Sequence, residues 1–271
     1  MNSILKRHLA PVGADAWKQI DEQAATVLKG NLSGRALVSF NGPHGLTASA
    51  INLGLVTAAK KPVVEGVQWG FRQVLPLIEI YAPFALSLED LEQIDRGGVA
   101  PDLDPVIQAA HEAACFEETA IYKGLPEGGY AGLLDSSPHK PVALPARPDA
   151  FAGAIGNAVL ALQQQSIGGP YHLVLGSAAY QALALGELQG GPLRTFVDKL
   201  LLGGAVKWSP ALNEGGALFS GRGGDAELTV GQDYAVGFAG TQDDTANFFL
   251  MASFAFRVIE PRAALALSFK A

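Results

Sequence analysis

Apolar positions recur at helical spacing over Asp15–Leu32, where Trp17, Ile20, Ala24, Val27 and Leu28 fall on one stripe. Asp15 is the expected N-cap of that helix. Pro11 and Gly13 separate it from a short arm carrying Ile4, Leu5 and Leu9. Ala36–Phe40 reads as a strand. From Asn41 to Val67 no period holds, because Gly42-Pro43, Gly45, Gly54 and Lys61-Pro62 interrupt it. Structureless segments of that length are uncommon in compact domains. The segment is therefore disordered, a lid, or an arm whose partner lies on another chain. Thr47–Val56 carries enough Ile, Leu, Val and Thr to form a strand within such an arm.

Further on, Leu75–Phe84 reads as a strand. Ser87 with Asp90 resembles a capping box, and Leu88, Leu91 and Ile94 give the following helix one buried stripe up to Gly97-Gly98. Asp104-Pro105 opens the longest helix, an N-cap followed by proline. It runs to about Lys123, with Ile107, Ala110, Ala114 and Ile121 along one face and Gly124 as its stop. At ~20 residues it is ~30 Å long and would serve as the spine of the domain. Five prolines between 125 and 148 mark the easiest boundary between two lobes. After it come a helix (Phe151–Gln165), a buried strand (Tyr171–Leu175), a short helix (Ser177–Leu185) and a helix opened by Pro192. The tail from Val206 is rich in strands: Ala217–Ser220, Ala226–Val230, Tyr234–Phe238 and Phe248–Ile259. There is no internal repeat.

Composition sharpens this picture. In 271 residues the apolar group reaches 49%, while charged residues are only 17% against an average near ~25%. So few ionic side chains solvate a large surface poorly, which points to burial in an assembly. A net charge of −7 argues against phosphate-driven nucleic-acid binding. The single cysteine, Cys115, excludes an internal disulfide framework and a multi-cysteine zinc site, and fits a reducing cytosol. Residues 1–20 lack signal-peptide features. The longest stretch free of Asp, Glu, Lys and Arg, Ala150–Gly186, is interrupted by Asn157, three glutamines and Gly168-Gly169-Pro170, so it reads as helix, turn and strand rather than a membrane span. A soluble, cytoplasmic protein is expected, with no membrane or nucleic-acid partner.

Motifs that carry chemistry are scarce. No phosphate-cradling G-x-x-x-x-G-K-[ST] occurs. Gly221-Arg222-Gly223-Gly224 is followed by strand residues and reads as a hairpin turn. Gly176-Ser177 lacks the nucleophile-elbow pattern, and Ser177 reads as a helix N-cap. His111 and Cys115 stand at i and i+4 with Glu118 nearby, a spacing compatible with a metal or a nucleophile–base pair but better read as a helix edge beside a buried small hydrophobe. Glu117-Glu118 reads as a solvated or salt-bridged face. The other histidines (His8, His44, His139 and His172) are isolated in sequence. No catalytic residue, metal site or cofactor is predicted.

Several phrases taken together resemble a known family. They are Leu5-Lys6-Arg7 and Ala10-Pro11 before the Trp17 helix, Gln68-Trp69-Gly70-Phe71-Arg72 running into Leu75-Pro76-Leu77-Ile78-Glu79, and Asp95-Arg96-Gly97. Asp102-Leu103-Asp104, Phe116-Glu117-Glu118 and Ile121-Tyr122-Lys123-Gly124 follow. The last are Gly169–Leu175, Arg222-Gly223-Gly224-Asp225, Gly231-Gln232-Asp233 and Phe254-Ala255-Phe256-Arg257-Val258. In this order and spacing, over almost the entire chain, they resemble the family 1 encapsulin shell proteins.

That resemblance implies an α+β chain with the tailed-phage major capsid fold of the Hong Kong 97 type. Its parts would be an N-terminal arm and helix (1–40), an extended loop (41–70), a peripheral domain with the spine helix (71–132), an axial domain (133–225) and a return to the peripheral domain (226–271). The loop would pair with a neighbouring subunit, and sixty equivalent subunits would close the simplest icosahedral shell. The function implied is containment of a cargo enzyme, a dye-decolorising peroxidase or a ferritin-like iron protein, through a C-terminal targeting peptide. Carried onto this chain, the inner docking groove would use Leu28, Leu32, Arg35, Ser39, Tyr234, Val236 and Phe238, with Arg35 holding a peptide carbonyl or carboxylate. Some relatives have an acidic residue where Ser39 stands. The fivefold pore loop would be Gly186, Glu187, Leu188, Gln189 and Gly190, within Ala184–Gly191, and five copies of Glu187 would make an acidic ring favouring cations. Glu89 stands where some relatives place a flavin-binding tryptophan, so no flavin is expected by that route. Two alternatives stay open at this point: an enzyme in its own right, of protease or bacteriocin type, and a phage major capsid protein.

Overall fold

The computed structural model describes residues 4–98, 101–213 and 215–270. Two five-stranded sheets and three long helices set the architecture of the described residues. Helix α1 (Ala14–Asn31) buries Ala16, Ile20, Ala24 and Leu28, the stripe the periodicity predicts with Trp17 and Val27 at its margins. Asp15 does not cap it. The helix begins at Ala14 after Gly13, and the Asp95 carboxylate accepts from the N–H groups of Gly13 (3.1 Å) and Ala16 (3.4 Å). A cap supplied 80 residues away satisfies the same orphan donors, and a side chain at position 13 would collide with it. The predicted strand at Ala36–Phe40 is divided instead: α2 (Ser33–Leu37) is a single short helix and β1 covers only Ser39–Asn41.

The segment without a period is a two-stranded ribbon. Strand β2 (Ala50–Ala58) pairs antiparallel with β3 (Gly70–Pro76), from Ala50↔Pro76 to Ala58↔Gly70, with a bulge near Gly54. The arm therefore finds its hydrogen-bond partner within the chain, while its side chains stay exposed on both faces. The single strand expected over Leu75–Phe84 is broken at Leu77, where β3 ends and β4 (Ile78–Ser87) begins. In β4, Ile80, Ala82, Phe84 and Leu86 alternate inward.

Helix α3 (Leu88–Asp95) starts on the Ser87 hydroxyl, which accepts from the Glu89 N–H. The spine helix α4 (Asp104–Tyr122) includes Asp104 rather than being capped by it; Asp102 accepts from the Asp104 N–H (3.0 Å). Five buried alanines (Ala109, Ala110, Ala113, Ala114 and Ala120) keep α4 slim enough to pack against both α1 and the first sheet. The remaining elements are β5 (Val142–Pro145), α5 (Pro148–Gln164), β6 (Tyr171–Leu175), α6 (Ser177–Leu185), β7 (Glu187–Leu188), β8 (Gly191–Pro192) and α7 (Leu193–Leu200). After them come β9 (Val206–Trp208), β10 (Gly215–Ser220), β11 (Ala226–Val230), β12 (Ala235–Gln242), β13 (Thr245–Val258) and β14 (Ala264–Lys270). Ser177 is the first residue of α6, not its cap, and its hydroxyl accepts from the Trp208 indole (3.0 Å).

Long strand β13 organises the first sheet. One edge pairs with β4; the other pairs with β12 and then β11, and β1 adds parallel to β11. The second sheet runs β5-β14-β10-β6-β9. Since β10 and β11 belong to different sheets, Gly221–Gly224 carries the chain from one sheet to the other and is no hairpin turn. The expected return of 226–271 to the first body also stops short: β14 crosses back and pairs with β10 and β5. Both faces of the second sheet are covered. Leu173, Leu265 and Leu267 pack with α5, α6 and α7, whereas Val174, Ala217 and Phe219 join the core around α4. Two cores thus share one sheet.

Phe248 sits at the centre of the first core, in contact with Trp17 (5.5 Å), Phe84 (5.4 Å) and Phe238 (5.8 Å between centroids). Truncation to alanine removes all three aromatic contacts, and Phe248→Ala is expected to cost about 3–5 kcal/mol in denaturant unfolding.

Candidate functional site

The residues expected at a docking groove come together only in part. Leu28, Val236 and Phe238 lie in the first core at 7%, 2% and 6% exposure, so within the subunit they are floor rather than open pocket. Leu32, between α1 and α2, and Tyr234, ahead of β12, pack half-buried against that floor. Ser39 points elsewhere: its hydroxyl accepts from the Gly224 N–H (3.2 Å), beside a cavity of about 20 Å³ near the crossing between sheets.

Arg35 is already occupied. Its Nε and Nη2 donate to the two carboxylate oxygens of Glu117 (2.7 and 2.8 Å), and Nη1 donates to Asp233 (2.6 Å). Its guanidinium lies 4.8 Å from the Tyr234 ring. Burial by itself lowers the Arg35 pKa, but Glu117 and Asp233 more than offset this, and the group stays raised above its ordinary value. Arg35 therefore positions Tyr234 and the Asp233 turn, and has no free fork for a peptide carboxylate.

Glu117 and Glu118 form no solvated face. Both are fully buried, because α4 turns that face toward α2 and the segment after β9. Glu118 accepts from the Ser33 hydroxyl, the Gly34 N–H (2.8 Å) and the Ser209 hydroxyl (2.7 Å). Burial pushes it up to about 7, with the Glu117 charge adding to the rise and the three donors opposing it. The Tyr122 hydroxyl joins through Ser33 (2.7 Å), and burial raises it well above its usual value. His111 is turned away from this cluster and meets Asn31 (3.1 Å), so His111, Cys115 and Glu118 do not converge. Among the described residues no group of three His, Cys, Asp or Glu side chains is placed to hold a metal ion.

A larger concavity, of about 850 Å³, opens between the N-terminal arm and α1. Leu5, Ala10, Val12 and Trp17 supply its apolar lining, and Lys18 and Asp21 its polar rim. Arg7 braces it, lying 3.9 Å from the Trp17 ring centre and paired with Asp21 (2.7 Å). The Phe238 N–H donates to the Leu5 carbonyl (2.8 Å), tying the arm to the edge of β12. The arm's Leu5 and the helix's Trp17 were visible in the sequence, but nothing there showed that they enclose a hollow.

On the second sheet's side, Gly186–Gly190 is more ordered than a loop. Strands β7 and β8 form a miniature hairpin pairing Glu187 with Pro192 and Leu188 with Gly191. Gly190 (φ 112°) and Gly191 (φ 134°) adopt turn geometry that L side chains rarely enter. Glu187 is exposed, next to Leu185 at 74% exposure.

Comparison with known proteins gives a consistent picture. A family described as encapsulating protein for peroxidase matches residues 1–255. A type 1 encapsulin shell protein of Rhodospirillum rubrum is 38% identical, covering 98% of this chain and 96% of its own length. Among solved structures, a virus-like particle from Pyrococcus furiosus superposes with a TM-score of 0.66 at 13% identity, over 95% of this chain and all of that one. The capsid of the myovirus phage XM1 gives 0.58 at 12% identity, over 89% and 92%. The fold is that of tailed-phage capsid proteins.

Breaking the Arg35–Glu117 pair from one side leaves a buried carboxylate without its cation. Arg35→Met is expected to cost about 3–5 kcal/mol, and the double variant Arg35→Met/Glu117→Met to recover most of that loss, as measured by denaturant unfolding of both variants.

Proposed function

Since the chain belongs to the family of type 1 encapsulin shell proteins, we propose that about sixty copies close into a hollow icosahedral particle around a cargo enzyme. The β2–β3 ribbon is the observation that carries this reading. Of the seventeen large hydrophobic side chains exposed among the described residues, four lie on its strands (Leu55, Val56, Phe71 and Val74) and four on the segment that joins them (Val63, Val64, Val67 and Trp69). A two-stranded ribbon with both faces apolar is not stable in water by itself. Neighbouring copies in a closed shell supply the surfaces that cover it.

The role is containment rather than catalysis, in the cytoplasm. The family's description favours a peroxidase as cargo over a ferritin-like iron protein. A C-terminal targeting peptide docks on the face that runs from the arm–α1 concavity to Leu32 and Tyr234, with its apolar anchors seated above Leu28, Val236 and Phe238. Arg35 keeps Tyr234 in place rather than touching the peptide. Ser39 holds Gly224 at the crossing between the sheets rather than facing the peptide. The β7–β8 hairpin lines the fivefold pore, where Glu187 is the one charge between Gly186 and Gly190 and five copies present an acidic ring to entering solutes. Identity of 38% along nearly the whole length to a type 1 encapsulin shell protein supports the compartment over a virion.

The chain expressed alone is expected to elute as hollow particles near about sixty times the 28.2 kDa subunit mass by light scattering and negative-stain imaging. A monomer or small oligomer overturns the shell. Co-expression with a dye-decolorising peroxidase is expected to place the enzyme inside only when its C-terminal peptide is intact.

Charge reversal tests the pore. Glu187→Lys particles are expected to admit iodide faster, and thallium ions more slowly, than the unaltered shell. The readout is quenching of a fluorophore sealed in the lumen.

A further inference from the structure

The spine helix buries two consecutive carboxylates and provides a cation for one of them. Glu117 takes Arg35, whose remaining nitrogen goes to Asp233. No cation pairs with Glu118 among the described residues. The groups around it are Ser33 and Gly34 from α2, Ser209 from the segment after β9, and Glu117 and Tyr122 from its own helix. Beyond Arg35 stand Asp233 and the Tyr234 ring.

Proton counting shows two competing arrangements. With Glu118 ionised, Ser33, Ser209 and the Gly34 N–H all donate to it. The Ser33 proton is then used, so the Tyr122 hydroxyl donates to Ser33 Oγ and every donor is satisfied. The cost is a buried negative charge without a counter-ion. With a proton on Glu118, the charge is gone, but the carboxyl must donate to one of the same serines. If that serine is Ser33, its own proton turns to Tyr122 and the Tyr122 hydroxyl loses its acceptor. The ionised arrangement is short of a charge partner, and the protonated one that donates to Ser33 is short of a hydrogen bond.

We propose that Glu118 is a proton-operated latch: protonated, it holds the α2 segment onto the spine helix, and ionised, it favours lifting of α2 so that the carboxylate can reach water. Burial raises the group to about 7 in the closed form, while in the lifted form it is hydrated and returns to the ordinary carboxylate range. The closed form thus binds the proton more tightly. Its advantage is complete below that ordinary range and is lost as pH rises through about 7, over which the lifted population grows on the order of 10²-fold. Leu32 precedes α2 and Arg35 lies within it, so the latch governs the docking face. That consequence rests on the function proposed above, whereas the latch itself does not.

Infrared difference spectra of the purified protein, in whatever assembly it forms, titrated from about pH 5 to about pH 8.5, test it directly. A protonated-carboxyl band is expected to disappear with a midpoint near neutrality, and to be missing in Glu118→Gln. Hydrogen exchange at residues 33–40 and 205–212, corrected for intrinsic amide chemistry, is expected to be faster at about pH 8 than at about pH 6 in the unaltered protein and unchanged by pH in Glu118→Gln. Ser209→Ala keeps the carboxyl but removes one donor to its ionised form, so its midpoint moves upward. This variant carries the test alone if Glu118→Gln does not fold. A band that titrates wholly below about pH 5, pH-dependent exchange that survives in Glu118→Gln, or an unmoved midpoint in Ser209→Ala overturns the latch. None of these readouts involves cargo, so a failure of peptide loading leaves them intact and falls on the docking reading alone.

Discussion

Burying two adjacent carboxylates on the inward face of the spine helix, beside its buried alanines, constrains everything packed around it. Each must be met by donors, since an unpaired buried charge costs several kcal/mol. The donors come from parts of the chain far apart in sequence: Ser33, Gly34 and Arg35 from α2, and Ser209 from the segment between β9 and β10. Arg35 in turn draws in Asp233 and Tyr234 ahead of β12. The polar knot therefore joins the N-terminal segment, the spine, the second sheet and the first sheet at one point. Apolar packing alone would hold these parts together without specifying their register, and the knot supplies directional contacts that do.

The two cores differ in what they anchor. The first, around Phe248 and α4, holds the arm and α1, and so the concavity between them. The second, around α5, α6 and α7, holds the β7–β8 hairpin at the edge of the molecule. They share the second sheet, whose central strand β10 presents Leu218 to one core and Phe219 to the other. The last strand, β14, closes this sheet from the C-terminal end of the chain. The arm–α1 concavity and the β7–β8 hairpin are thereby built on one continuous framework, with the exposed apolar ribbon left outside it.

Periodicity was a good guide where one face of an element decided its burial. Helices α1, α4 and α5 and strand β6 lie close to where the apolar spacing puts them. It failed where a distant residue supplied the deciding contact. Asp15 is a reasonable local cap, but Asp95 takes that role from α3. Ala36–Phe40 has strand composition, but Gly34 and Arg35 must reach Glu118 and Glu117, and a helical turn brings both there. The run through Leu75–Phe84 looked continuous because the break at Leu77 separates two strands that pair in different sheets, a difference without a compositional mark. Val236 and Phe238 were legible as strand residues, but β13 and α1 cover them, which only packing reveals.

The amino-acid sequence by itself determined the family, through collinear phrases over nearly the whole chain, and with it the fold, the arm and the absence of recognisable catalytic motifs. It also determined the charge scarcity that makes exposure of this subunit's surfaces unfavourable. Tertiary structure alone decided that Glu117-Glu118 lies inside rather than on a solvated face, that Arg35 is spent within the subunit, and that β14 returns to the second sheet. The physical reason is that ionisation and burial are set by what surrounds a side chain in three dimensions. A Glu-Glu pair reads the same in sequence whether water or Ser33, Arg35 and Ser209 stand around it.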